Sequence, residues 1–158
     1  MATTYEKIQT TTIGSPTNTV AFTSIPSTYT DLIIVFNGTM TGSALKYLQF
    51  NSDTGANYSC VGLFAYSTTV ASAQYANAWL DVANNGAQPY VTLVQINNYS
   101  NSTAYKTYIS REGSAGAAVQ QINGMWRSTS AITRIDIPVH ANNYNTGTVV
   151  TLYGIKAA

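Results

Sequence analysis

Asp31-Leu32-Ile33-Ile34-Val35-Phe36-Asn37-Gly38 is the stretch from which the fold of this 158-residue chain can be read. Five apolar residues in a row, three of them β-branched, lie between an aspartate and an Asn-Gly pair. The run is too short for a buried helix and carries strand-forming residues, so it predicts a strand. A half-exposed strand would alternate polar and apolar residues. An unbroken apolar run implies cover on both faces or burial at a subunit contact, and places the strand in the middle of a sheet.

Outward from this strand the pattern repeats. Further strand segments are read at Tyr5 to Ile13, Thr19 to Phe22, Leu45 to Asn51, Cys60 to Tyr66, Ala76 to Val82, Tyr90 to Asn97, Ala104 to Arg111, Val119 to Arg127, Ala131 to Val139 and Thr148 to Ile155, giving about ten strands in all. Near the end, Ala131, Thr133, Ile135, Ile137 and Val139 share one face, expected to be core. Ile132, Arg134, Asp136 and Pro138 share the other. Gly14-Ser15-Pro16, Asn37-Gly38, Asn84-Asn85-Gly86 and Asn145-Thr146-Gly147 supply turn chemistry between segments. Val70 to Leu80 is the best helical candidate, but it lacks an i, i+3, i+4 apolar stripe and reads as a strand or a single turn. Many short strands bounded by turns, without helices, predict an all-β chain. The expected architecture is one antiparallel β-sandwich domain over residues 1–158, jelly-roll-like, with about 8–11 strands.

Composition narrows the function classes. Only 8% of residues are charged, against about a quarter in an ordinary soluble domain. A surface built instead from Thr, Ser, Asn and Gln does little to repel neighbours, which suits a protein that works in an assembly. Seven Lys and Arg against six Asp and Glu give a net charge of +1. That leaves no basic footprint for nucleic acid. The longest apolar run is far below the ~20 residues of a membrane-spanning helix. The start, Met1-Ala2-Thr3-Thr4-Tyr5-Glu6-Lys7, does not read as a signal peptide, and the lone Cys60 has no disulfide partner, so synthesis in a reducing cytoplasm is expected.

Candidate chemistry is sparse. His140, the single histidine, stands just beyond a strand and reads as an exposed or locally hydrogen-bonded loop residue. Cys60 reads as a small core residue. The acids Glu6, Asp31, Asp53, Asp81, Glu112 and Asp136 are scattered and read as turn, edge and surface residues, with Asp136 on a solvent face beside Arg134. Asn51-Ser52-Asp53-Thr54-Gly55-Ala56-Asn57 alternates oxygen-bearing side chains, but it misplaces the glycine and lacks the closing Glu of a calcium loop, so a tight turn is expected. No cofactor or metal is expected. The aromatics are more suggestive: twelve Tyr, four Phe and two Trp make up 11% of the chain. Tyr99, Tyr105, Tyr108 and Tyr144 lie near predicted strand ends and are the candidate contacts to a glycan or a partner protein. Trp79 and Trp126 are expected in the core.

Several segments taken together resemble a known group of proteins. They are Thr4-Tyr5-Glu6-Lys7-Ile8-Gln9-Thr10, Leu48-Gln49-Phe50-Asn51-Ser52-Asp53-Thr54-Gly55-Ala56-Asn57-Tyr58, Asn98-Tyr99-Ser100, Tyr105-Lys106-Thr107, Trp126-Arg127-Ser128-Thr129 and Thr151-Leu152-Tyr153-Gly154-Ile155-Lys156. The chain resembles small virion structural proteins of tailed bacteriophages, notably those of cyanobacteria and other aquatic hosts. The resemblance implies a virion component assembled in the host cytoplasm, with other capsid or tail proteins as partners, and the lack of a recognisable catalytic set makes a non-enzymatic role the expectation. The apolar strand Leu32 to Phe36, the few charges and the many Tyr suit burial between copies, so a homotrimer is expected, as jelly-roll virion proteins often close around a threefold axis. With neither a heptad nor an extended repeat in the chain, a capsid decoration (cement) subunit is expected ahead of a tail or fibre component. The alternatives are a tail or fibre protein that binds host-surface carbohydrate through loop aromatics and, further off, a glycan-degrading enzyme.

Overall fold

A computed structural model describes residues 4–66, 69–76, 80–85, 87–114 and 118–156. Within them the chain forms strands β1 (Tyr5–Thr12), β2 (Thr19–Phe22), β3 (Asp31–Gly38), β4 (Ala44–Phe50), β5 (Tyr58–Tyr66), β6 (Thr69–Tyr75), β7 (Leu80–Asn85), β8 (Tyr90–Asn97), β9 (Lys106–Ser114), β10 (Ala118–Trp126), β11 (Ile135–Pro138) and β12 (Val149–Ile155). Every pairing is antiparallel. The result is an all-β sandwich, as the sequence implies, with more strands than the 8–11 expected.

Strand order explains the surplus. One sheet runs β1-β12-β3-β8-β9-β10-β5-β6, and the other runs β2-β11-β4-β7. The pairs β1·β12, β2·β11, β3·β8 and β4·β7 are nested in sequence and fall alternately in the two sheets, as a long antiparallel ribbon does when wrapped into a jelly roll. Two hairpin insertions stand outside that ribbon. β5-β6 leaves between β4 and β7, β9-β10 leaves between β8 and β11, and both extend the larger sheet past β8. The larger sheet is therefore twice as wide as the smaller, and its second half is built entirely of inserted strands.

β3 has the place its sequence requires, third in the larger sheet between β12 and β8. Leu32, Ile34 and Phe36 point into the sandwich and are fully buried. They pack with Phe22, Leu48, Phe50, Val94, Ile96, Ile135, Ile137, Val150 and Leu152. On the opposite face Ile33 is also buried, flanked in register by Tyr153 and Gln95.

Other expectations need correction. The strand read at Ala76 to Val82 overlaps only the start of β7 at Leu80, and β6 ends at Tyr75, before that segment begins. Residues 77–79, Trp79 among them, lie outside the described residues. Val70 to Tyr75, the start of the segment read as a strand or a single turn, is strand as expected, within β6. β11 is shorter than the Ala131 to Val139 segment because Asn51 captures its beginning: the Asn51 carboxamide accepts from the Thr133 and Arg134 amides and donates to the Ala131 carbonyl. Ile132, freed from the sheet, is buried rather than outward. Asp136 is also mostly buried, gripped by the Arg134 guanidinium at 2.7 and 2.5 Å. Asn37-Gly38 closes no turn, since Gly38 still belongs to β3. The Asn145-Thr146-Gly147 turn forms as expected, with Gly147 at φ 86°.

The inserted strands β9 and β10 pack closely on their inner face. A Cβ built on Gly124 in β10 would fall within the Tyr108 ring of β9. Gly113, also in β9, faces outward with nothing within 4 Å of that position. Gly124→Ala is accordingly expected to lower unfolding free energy by about 1–3 kcal/mol through overpacking. Gly113→Ala should change it by no more than about 0.5 kcal/mol. Urea denaturation of the two variants distinguishes them, and equal effects would contradict the packing described.

Candidate functional site

The six acidic residues disperse. Glu6 pairs with Lys156 at 2.7 Å and accepts from the Tyr29 hydroxyl. Asp31 accepts from the Asn98 amide at 2.7 Å. Asp136 holds Arg134, and Glu112 lies in the core. The side chain of Asp81 falls outside the described residues. Among the described residues no three His, Cys, Asp or Glu side chains gather as a metal site. His140 is exposed, edge-on to Tyr47 at 6.4 Å between ring centres, and its backbone amide donates to the Leu45 carbonyl. Cys60 is buried.

Asp53 organises the tight turn expected at residues 51–57. Its carboxylate accepts from the Gly55 amide (2.8 Å), the Asn57 carboxamide (2.9 Å) and the Trp126 indole (2.7 Å). Trp126 stacks on Tyr58 with ring centres 6.3 Å apart and packs on Phe50 at 5.5 Å. Desolvation disfavours the Asp53 charge, but the three donors together outweigh it and hold the carboxyl below its ordinary value. Burial pushes the Tyr58 hydroxyl up to about 12, with the Phe50 amide pulling the other way. This is a structural clasp that closes one end of the inserted strands.

Of the four tyrosines read as contacts, three are core residues. Tyr99 is fully buried and donates to the Pro26 carbonyl; Tyr144 is fully buried and donates to the Ile137 carbonyl at 3.2 Å; Tyr108 fills the space over Gly124. Each pairs a large apolar ring with a hydroxyl. At Tyr99 and Tyr144 that hydroxyl reaches a backbone acceptor inside the fold, which position near a strand end does not reveal. Only Tyr105 is on the surface, 53% exposed.

The candidate site lies elsewhere, on the outer face of the larger sheet. The registers align three rows of outward side chains across β3, β8, β9, β10, β5 and β6: Asn37-Val91-Gly113-Val119-Ala65-Val70, Val35-Leu93-Arg111-Gln121-Leu63-Ser72 and Ile33-Gln95-Ile109-Asn123-Val61-Gln74. Arg111 is the one charge in these rows, and it has no ion-pair partner among the described residues. Val61, Leu63, Val91, Val119 and Val70 are each about half to three-quarters exposed, a contiguous apolar patch of the kind that marks interaction sites. Gly113 sets no side chain between Val91 and Val119. The gap opens into a shallow trough of ≈ 590 Å³ bordered by Leu63, Val70, Val91, Val119 and the Arg111 and Gln121 side chains.

No family model matches the chain, and no curated protein does. The geometry of this face therefore carries the functional reading. A wide, nearly uncharged, apolar and slightly concave sheet surface suits burial against another protein, with Arg111 placed to meet a carboxylate or carbonyl of that partner. Sequence reading missed it because both faces of β5, β8 and β10 carry apolar residues, and alternation alone does not say which set faces the core. β9 gives no clearer signal, since Tyr108, Ser110 and Glu112, which face inward, and Ile109, Arg111 and Gly113, which face outward, each include a charged residue.

The Asp53 clasp gives a pH test. A carboxyl held below its unfolded value contributes stability above that value and loses the contribution as pH falls through the folded one. In a Trp79→Phe background, Trp126 fluorescence should stay constant from neutral pH down to the ordinary aspartate value of 3.8 and change below it. Asp53→Asn should remove that step. A transition above 3.8, or one unaffected by Asp53→Asn, would show that Asp53 does not hold the indole.

Proposed function

We propose that this chain is a non-enzymatic structural protein of a tailed-bacteriophage particle, a decoration subunit that sits on a larger protein shell through the outer face of its eight-stranded sheet. The observation that carries the reading is the exposed apolar set Val61, Leu63, Val70, Val91 and Val119 around Gly113. Leaving such a patch in water is unfavourable, and burying each valine contributes about 1.5 kcal/mol or more. A surface with few charges supports the same reading, because dense packing of many copies then meets little repulsion. The resemblance of the sequence to small phage virion proteins supplies the particle. A glycan-binding tail or fibre role is less well supported, since Tyr105 is the one exposed ring of the four that suggested it.

The partner surface should be apolar and offer an acidic group to Arg111. Immunogold labelling of particles whose genome encodes the chain should place it across the head. Labelling confined to the tail tip or fibres would overturn the decoration role. A Val91→Asp, Val119→Asp double variant should keep the circular dichroism of the parent while rebinding depleted particles about a hundredfold more weakly, as loss of two buried valines implies. Undiminished rebinding would exclude this face as the attachment surface.

A further inference from the structure

The margins of the larger sheet are unequal. β1, at one edge, carries Glu6 and Lys7, and its register with β12 breaks between Lys7 and Gln9. Charge and a bulge are the two devices that keep a sheet edge from recruiting another strand. β6, at the other edge, has neither. Thr69-Val70-Ala71-Ser72-Ala73-Gln74-Tyr75 contains no charge, proline or glycine and pairs with β5 in unbroken register from Tyr66↔Thr69 to Cys60↔Tyr75. Among the described residues no strand pairs with its other side. Six of its seven residues are exposed, Val70 at 78%. The edges of the smaller sheet differ again: β2 is only four residues long, and β7 packs against the inserted strands.

We propose that β6 pairs with β6 of a second copy of this chain, antiparallel, about a twofold axis through Ser72. In that register Val70 faces Gln74, Ala71 faces Ala73, Thr69 faces Tyr75 and Ser72 faces itself. No like charges oppose one another, and the bulkiest side chain lies across from a small one, the complementarity that directly opposed residues require. The contact is isologous and closes as a dimer. Its axis is perpendicular to the sheet, so Val70, Ser72 and Gln74 of both copies emerge on the same side. The two outer faces then join in one continuous surface, with the Val70 and Leu63 neighbourhoods meeting at the seam. Backbone hydrogen bonds supply most of the attraction, each of modest net worth because it replaces a bond to water. The pairing is therefore of moderate strength and concentration-dependent in solution. It does not depend on what the outer face itself binds.

Analytical ultracentrifugation of the full chain over a wide concentration range should show a monomer–dimer equilibrium. Ser72→Lys puts two ammonium groups opposite each other on the axis and should leave a folded monomer. Ser72→Cys should form a disulfide-linked dimer under mild oxidation, whereas Ser130→Cys, also exposed but in a loop, should not. A monomer at every concentration, the trimer expected from the sequence, or a dimer that survives Ser72→Lys would overturn the proposal. Equal cross-linking of the two cysteine variants would do the same. Because these measurements involve no virion, they stand apart from any failure of the decoration role.

Discussion

The ion pair between Lys46 and Glu112 sets where the inserted strands lie. Lys46 comes from β4 in the smaller sheet and Glu112 from β9, the first strand beyond the wrapped ribbon. Their side chains are fully buried with 2.9 Å between Nζ and Oε2. Removing two charges from water costs several kcal/mol per ion, and close geometry with further hydrogen bonds is needed to offset it. Here the further bonds exist: Glu112 also accepts from the Thr92 hydroxyl of β8 and, at 2.7 Å, from the Gln120 carboxamide of β10. Lys46 lies over the Tyr90 ring, 3.8 Å from its centre, a favourable arrangement for a desolvated ammonium. Burial and then the Glu112 charge raise the Tyr90 hydroxyl well above its ordinary value, so it stays neutral beside the pair.

An interaction of this kind has few acceptable geometries. A hydrophobic contact tolerates sliding by an ångström or more, but a buried carboxylate with three donors from three strands does not. Lys46 thus fixes β8, β9 and β10 against β4, and β5 and β6 follow through their ladders with β10. The outer face and the β6 edge both belong to strands held this way. A sandwich of the eight ribbon strands alone would have neither the Gly113 trough nor an unprotected seven-residue edge. The two insertions give this jelly roll its wide apolar outer face, and the buried pair ties them to the smaller sheet.

How much of this could be read from the sequence depended on whether neighbours in sequence or partners across the fold decide a residue's place. β3, β8, β10 and β12 were legible because runs such as Leu32 to Phe36 or Val149 to Ile155 carry their own strand signal, and Gly147 marks its own turn. The tyrosines read as surface contacts were not. Tyr99 and Tyr144 are buried because Pro26 and Ile137 offer carbonyls to their hydroxyls, and those partners lie on other elements. Residues 131–134 read as strand by alternation, yet Asn51, some eighty residues earlier, takes the Thr133 and Arg134 amides, and the Tyr99 carbonyl takes that of Ile132. Lys46 had a signal that passed unread: Ala44, Lys46, Leu48 and Phe50 share one parity, and a lysine on a core face calls for a buried acid. Which acid it meets is a matter of topology, and the nesting of insertions within the ribbon is invisible to periodicity.

The measurement that bears most directly on this account is a double-mutant cycle on the pair, with stability read from denaturant unfolding of Lys46→Met, Glu112→Leu and the combined variant. If the pair locks the inserted strands to the smaller sheet, each single change leaves a buried charge without its partner and lowers stability by about 3–5 kcal/mol, while the double variant loses less than either. Single losses below about 1 kcal/mol, or losses that simply add in the double variant, would contradict it.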